Sequence, residues 1–182
     1  MSNPLVTGKD LGAITVTVPA SAYVATTAGG AGDNTAVTGL TIDRQNLVPN
    51  GKIGALPATV TPTGALFEVY YECALAAGAT ITLKNALVED SADGTNWATV
   101  YDQTGTNGPV PPQWPSAGVV DTGGTGGTTQ HGVVTFGTDI RRCRRYVRFD
   151  FTPDLSAAST DTGKFTVSAV LSGIHELPPG VV

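Results

Sequence analysis

Leu66-Phe67-Glu68-Val69-Tyr70-Tyr71-Glu72 decides the fold class. Phe67, Val69 and Tyr71 stand at alternate positions, with Glu68, Tyr70 and Glu72 at the positions beside them. A strand turns successive side chains to opposite faces, so this segment reads as a half-buried antiparallel strand. The same period of two returns at 144–151, with Val147, Phe149 and Phe151 inward and Tyr146, Arg148 and Asp150 outward. It returns at 164–171, with Phe165, Val167, Ala169 and Leu171 inward and Thr166 and Ser168 outward.

Weaker β-rich runs lie at 13–18, 37–43, 79–89, 97–101 and 132–136. Asp93-Gly94 is a tight-turn signal between two of them. Pro153 reads as a turn after the 144–151 strand, and 26–33 as a glycine-rich loop. No stretch makes a convincing helix, and no repeat of solenoid or propeller period occurs. About eight short strands in one chain of 182 residues predict a single domain over 1–182. The fold class is all-β, an antiparallel β-sandwich or jelly roll, with a closed barrel second. An extended N-terminal arm is expected over 1–12, a long Pro/Gly loop over 107–127 and an extended tail over 173–182.

Charged residues make up only 14% of the chain, while 23 glycines and 12 prolines supply many turns, which suits short strands better than helices. The net charge of −5 argues against nucleic acid as the main partner, because phosphate binding draws on a basic surface. It argues equally against a polybasic membrane anchor. Residues 11–32 carry no charge but hold too many Thr, Gly and Pro to span a bilayer, and a secretory leader is not expected. Cys73 and Cys143 match no CxxC spacing and are expected as small buried hydrophobes.

Reaction chemistry is thin. His131 and His175 have no partner at a metal-ligand spacing. Gly123 to Gly127 lacks the lysine of a phosphate loop. Asp90, Asp93 and Asn96 miss the calcium-loop pattern and read as turn residues. Glu68 and Glu72 share a strand face, as a glycosidase pair would, but an exposed face explains them more simply. No catalytic, cofactor or metal residue is assigned, and the chain is read as a non-enzyme.

The local anomaly is an arginine cluster: Arg141, Arg142, Arg144, Arg145 and Arg148. On a continuous strand, Arg142, Arg144 and Arg148 share the face of Tyr146, and Arg145 falls inward. Arg142, Arg144 and Arg148 are candidates for contact with an acidic partner; a solvated strand edge is the competing reading. Trp114, among Pro109, Pro111, Pro112 and Pro115, is either a loop anchor or a further partner contact. Trp97 is expected in the core.

Three segments carry a resemblance. They are Leu87-Val88-Glu89-Asp90-Ser91-Ala92-Asp93-Gly94-Thr95-Asn96-Trp97, Arg145-Tyr146-Val147-Arg148-Phe149, and Gly163-Lys164-Phe165-Thr166-Val167-Ser168-Ala169. Over roughly 65–175 the chain resembles the jelly-roll head decoration (cement) proteins of tailed bacteriophages. The resemblance implies a homotrimer that binds the major capsid protein on the outside of the expanded head and stabilises it. It implies synthesis in the host cytoplasm and no catalytic residues, cofactor, nucleic-acid partner or membrane partner. The first sixty residues and the 107–127 insertion depart from the shorter members. The Ser91 to Trp97 turn is also similar to that of discoidin-like jelly rolls, which implies the alternative of a carbohydrate- or cell-surface-binding module of a tail or fibre.

Overall fold

The computed structural model describes residues 16–45, 61–156 and 160–172. The arm expected over 1–12, the tail over 173–182 and His175 lie outside the described residues. Ten strands follow in chain order: β1 (Val16–Pro19), β2 (Val24–Thr27), β3 (Ile42–Asp43), β4 (Gly64–Leu75), β5 (Thr80–Ser91), β6 (Ala98–Asp102), β7 (Gly118–Thr122), β8 (Thr128–Asp139), β9 (Tyr146–Leu155) and β10 (Thr162–Ser172). No helix occurs among the described residues.

The strands pair antiparallel in two sheets. One has the order β1-β10-β4-β8, with β2 also on β10; the other has β3-β9-β5-β6, with β7 also on β5. β1 and β2 lie end to end along one edge of β10, since β4 occupies the other edge. β6 and β7 likewise share the edge of β5 that β9 leaves free. Counted by position, these are two four-stranded sheets. The chain alternates between them, apart from the pair β1-β2 and the run β5-β6-β7, and this is the topology of a jelly roll.

The three alternating segments are the centre of this arrangement. Phe67, Val69, Val147, Phe149, Phe151, Phe165, Val167, Ala169 and Leu171 are all buried. Phe67 of β4 stacks on Phe149 of β9 at 4.9 Å, which joins the two sheets. Phe136 of β8 meets the same Phe149 at 5.0 Å, and Phe151 meets Phe165 of β10 at 6.2 Å. Burial of each ring stabilises the fold by about 1.5–3 kcal/mol relative to exposure.

Several expectations need correction. The 37–43 run holds only a Val37–Phe151 bridge and the two residues of β3. At Gly39 a Cβ would stand 2.2 Å from the Phe149 carbonyl oxygen, and the Gly39 N–H donates to Asp150 Oδ1 at 2.8 Å. The backbone is pressed against β9 there but bonded to a side chain, so the ladder breaks. Pro153 does not end β9; it pairs with Leu83 inside the ladder. Its carbonyl accepts from Asn34 N on the side away from β5, so the N–H that proline lacks would also have faced that side. β2 takes Thr26 and Thr27 out of the expected loop and pairs them with Gly163 and Thr162.

The stretch 107–127 is not one extended loop. β7 occupies its middle, and 123–127 is the turn into β8. What remains, 107–117, belongs to a compact excursion over 103–117 between β6 and β7. Gln103 replaces a strand residue at the break: its N–H donates to the Ala86 carbonyl (2.9 Å), its Oε1 accepts from Ala86 N (3.1 Å), and its Nε2 donates to Pro115 O (3.0 Å). Buried Asp102 closes the loop by accepting from the backbone N–H groups of Thr104 and Asn107, both at 2.8 Å. Burial pushes the Asp102 pKa up, but these N–H donors, with the side chains of Thr104 and Asn107, outweigh it and hold the carboxyl below its ordinary value.

Candidate functional site

β9 begins only at Tyr146, so the arginines before it follow a turn, not a strand face. Cys143 N donates to Ile140 O at 3.0 Å and the Cys143 side chain is buried. This turn throws Arg141, Arg142, Arg144 and Arg145 to the surface. The inward placement expected for Arg145 is corrected on that ground: it is exposed and bonds Asp43 through Nε (3.0 Å) and Nη2 (2.6 Å).

Nearly every guanidinium of the cluster is bonded within the chain. Arg141 pairs with Asp139 at 2.5 Å. Arg144 grips Asp90, a carboxylate with 8% of its side chain exposed, with Nη2 at 2.6 Å, Nε at 2.7 Å and its own backbone N–H at 2.7 Å. Arg148 binds Glu89 at 2.5 Å, approaches Asp150 at 3.6 Å and lies over the Trp97 ring at 4.3 Å. Burial raises the Asp150 pKa, against the Gly39 N–H and the Arg148 charge. Trp97 is therefore half-buried on the outer face of the second sheet, under a guanidinium, and not in the core. Arg142 is exposed and makes no ion pair among the described residues.

Beneath the cluster sits an arginine that the pattern did not single out. Arg44 is 3% exposed, and its guanidinium donates to the carbonyls of Cys143, Arg144 (3.0 Å) and Pro62 (2.8 Å). Desolvation lowers its pKa. No sequence signal marked it, because its partners are backbone carbonyls of two distant segments.

The β5–β6 turn locks the other side. Asp93 Oδ1 accepts from the N–H groups of Thr95 and Asn96, both at 2.8 Å, and its Oδ2 accepts from Asn96 Nδ2 at 2.7 Å. These donors hold the Asp93 carboxyl well below the usual range. Gly94 has φ +75°, and a Cβ there would lie 3.7 Å from the Tyr146 ring. The carboxylate oxygens of Asp90 and Asp93 are thus engaged by guanidinium and turn donors, and Asn96 enters the turn as a donor. No group of three or more His, Cys, Asp or Glu among the described residues could hold a metal ion.

Trp114 is an anchor. It is 6% exposed, packs edge-on against Phe136 at 5.3 Å, and donates from Nε1 to Gly137 O at 2.8 Å. Of the two readings that the sequence leaves open for Trp114, the burial and the indole hydrogen bond are those of the loop anchor. Cys73 and Cys143 are buried free thiols, each pushed up to about 11 by burial.

Glu68 and Glu72 do project from one face of β4. Four residues of strand place their Cα atoms about 13 Å apart. Glu68 accepts from Tyr70 Oη (2.8 Å) and Ser168 Oγ (3.1 Å), while Glu72 pairs with Lys164 at 2.9 Å. The two carboxylates are held by different neighbours on either side of Tyr70, which fits the exposed-face reading. Tyr70 lies between them at 42% exposure, opposite Val133 of β8 at 49%. His131 is exposed on β8, opposite Glu72.

No family model matches the chain, and no curated protein does. Among solved structures, the chain is similar to the VP2 subviral particle of infectious bursal disease virus, at 11% identity and a TM-score of 0.43, over 90% of this chain and 34% of that one. It is also similar to structures of the Gx and Gt strains of that virus, each at 11% identity, with TM-scores of 0.44 and 0.43. Both matches cover 92% of this chain and 35% of theirs. The chain spans about a third of the length of the chains it matches.

Proposed function

We propose that the chain is a structural virion protein, a decoration protein that binds the major capsid protein on the outer surface of the expanded head of a tailed phage. It is made in the host cytoplasm and acts as a homotrimer. One observation carries the reading: segments of the decoration-protein resemblance that lie far apart in the chain interlock in space. Glu89, Asp90 and Trp97 of the first segment hold Arg148 of the second and its neighbour Arg144. The third segment lies on β10 and closes the core with Phe165, Val167 and Ala169. The resemblance therefore follows one framework rather than scattered positions.

The geometry bears on which residues are available to a partner. Arg144 and Arg148 are committed to the framework, which leaves Arg142 as the exposed guanidinium of the cluster that makes no ion pair among the described residues. Val110 of the 103–117 excursion and Val119 of β7 are exposed at 45% and 58%. Among the described residues β7 pairs with β5 alone, and in this reading its outer edge takes a neighbouring subunit. In this reading Val110 and Val119 meet the other copies of the trimer, and Arg142 meets an acidic capsid surface. A three-fold clamp gains avidity from such modest contacts. The test is co-sedimentation of the purified protein with expanded and unexpanded empty heads of its phage. Saturable binding to expanded heads alone supports the reading, and no binding to either form overturns it.

A second reading, a glycan- or cell-surface-binding module, is favoured by a separate observation on the other sheet.

A further inference from the structure

We propose that the outer face of the β2-β10-β4-β8 sheet is an oligosaccharide-binding groove whose platforms are Tyr23 and Tyr70. The site stands apart from the decoration reading and gives the glycan-binding reading a place in the fold.

The strand register lays outward side chains in rows across this face. Thr166, Tyr70 and Val133 form one row by direct pairing. Tyr23 continues it, because it immediately precedes Val24, the residue of β2 opposite Phe165. Tyr23 is 64% exposed, the most open of the large hydrophobic side chains among the described residues. The next row reads Lys164, Glu72, His131. The row on the far side reads Ser168, Glu68, Thr135. An aromatic row thus runs between two polar ones, over a groove of about 660 Å³ lined by Tyr23, Tyr70, Val133, Lys164, Glu72 and His131.

A saccharide matches that order. A pyranose ring has an apolar face of C–H groups and an edge of hydroxyls. Tyrosine offers a large, rigid, amphipathic surface for the face. Charged and amide-like groups beside it bond the edge and set orientation. The polar rows are already ordered: Lys164 holds Glu72 at 2.9 Å, and Ser168 and Tyr70 hold Glu68 at 3.1 and 2.8 Å. Glu72 is held below its ordinary pKa by Lys164 and so remains an acceptor across the physiological range. A protein partner is a poorer match. A stable interface buries about 800 Å² a side around a broad apolar centre, whereas this strip is one side chain wide.

The test is a printed oligosaccharide array probed with labelled full-length protein, followed by calorimetric titration of the best-bound glycan. Wild type, Tyr70→Ala and Tyr23→Ala are compared, with melting temperatures as the control for folding. Binding that weakens about tenfold or more in each variant, at an unchanged melting temperature, is expected. Absence of any array signal overturns the proposal, as does binding that both substitutions leave intact. If array signal is absent and the Tyr23→Ala/Tyr70→Ala double variant alters the native mass, the strip is a contact between copies and the proposal fails. None of these measurements uses phage heads, so failure here leaves the decoration reading standing.

Discussion

Replacing Trp114 by alanine tests how the Pro-rich excursion is held. Its ring sits at 6% exposure against Phe136, with Phe149 and Tyr101 at 6.4 and 6.3 Å. Removing a large buried aromatic costs about 3–5 kcal/mol. The Gly137 carbonyl keeps a donor, Gln113 Nε2 at 2.7 Å, while the buried Thr138 Oγ1 loses the indole N–H at 3.2 Å, which places the cost toward the upper part of that range. At about 2–4 °C per kcal/mol for a chain of this size, the melting temperature should fall by about 6–20 °C. Trp114→Phe keeps most of the ring packing, loses the indole N–H, and should cost about 1–2 kcal/mol. Urea denaturation and thermal scanning give both numbers. Acrylamide quenching in a Trp97→Phe background, where Trp114 is the remaining tryptophan, reports its burial directly. A loss under about 1 kcal/mol for the alanine variant, with freely quenched native fluorescence, would refute the anchoring of this loop.

Arg148→Ala strips the partner from Glu89 and the cover from Trp97, and should cost about 2–4 kcal/mol in urea denaturation, whereas Arg142→Ala should stay within about 0.5 kcal/mol. Gly123→Ala puts a Cβ 2.1 Å from the Ala76 carbonyl oxygen and should lose at least about 2 kcal/mol, while Gly118→Ala, with open space around it, should be close to neutral; equal melting temperatures would contradict the packing of the β7–β8 turn. The Asp102 pKa is lowered on folding, so its stabilisation is present above the ordinary value of 3.8 and is lost as pH falls through the folded value. Melting temperature should therefore drop on acidification below about pH 4, and the drop should be shallower in Asp102→Asn; identical pH profiles would count against this role. Both thiols, pushed up to about 11 by burial, should resist an aromatic disulfide reagent at pH 8 until the protein unfolds, and fast native reaction would contradict their burial.

The sandwich was legible where one face is dry and the other wet. β4, β9 and β10 announce themselves because Phe67, Phe149 and Phe165 alternate with charged or hydroxyl residues. β2 and β7 were not legible. Val24 to Thr27 and Gly118 to Thr122 are short edge pieces next to glycine-rich turns, and their pairing partners are 135 or more and 35 or more residues away. The 103–117 excursion hid its order because side chains of Asp102 and Gln103 supply the hydrogen bonds that a strand backbone would have made. The arginine cluster was visible as composition, but its pairing was not. Asp43, Glu89 and Asp90 reach it only through strand register. The tyrosine strip had a trace in the sequence, since Tyr70 is an outward aromatic between two glutamates. Its extent needed the alignment of β4 with β8 and β10.

The most direct test of the decoration reading is an electron cryomicroscopy reconstruction of expanded empty heads saturated with the protein. The account predicts added density on the outer surface at the local three-fold positions, into which three copies of the sandwich fit with Val110 and Val119 between them and Arg142 toward the shell. Heads that show no added density, while the protein is found on tails or fibres of the same particles, would contradict it.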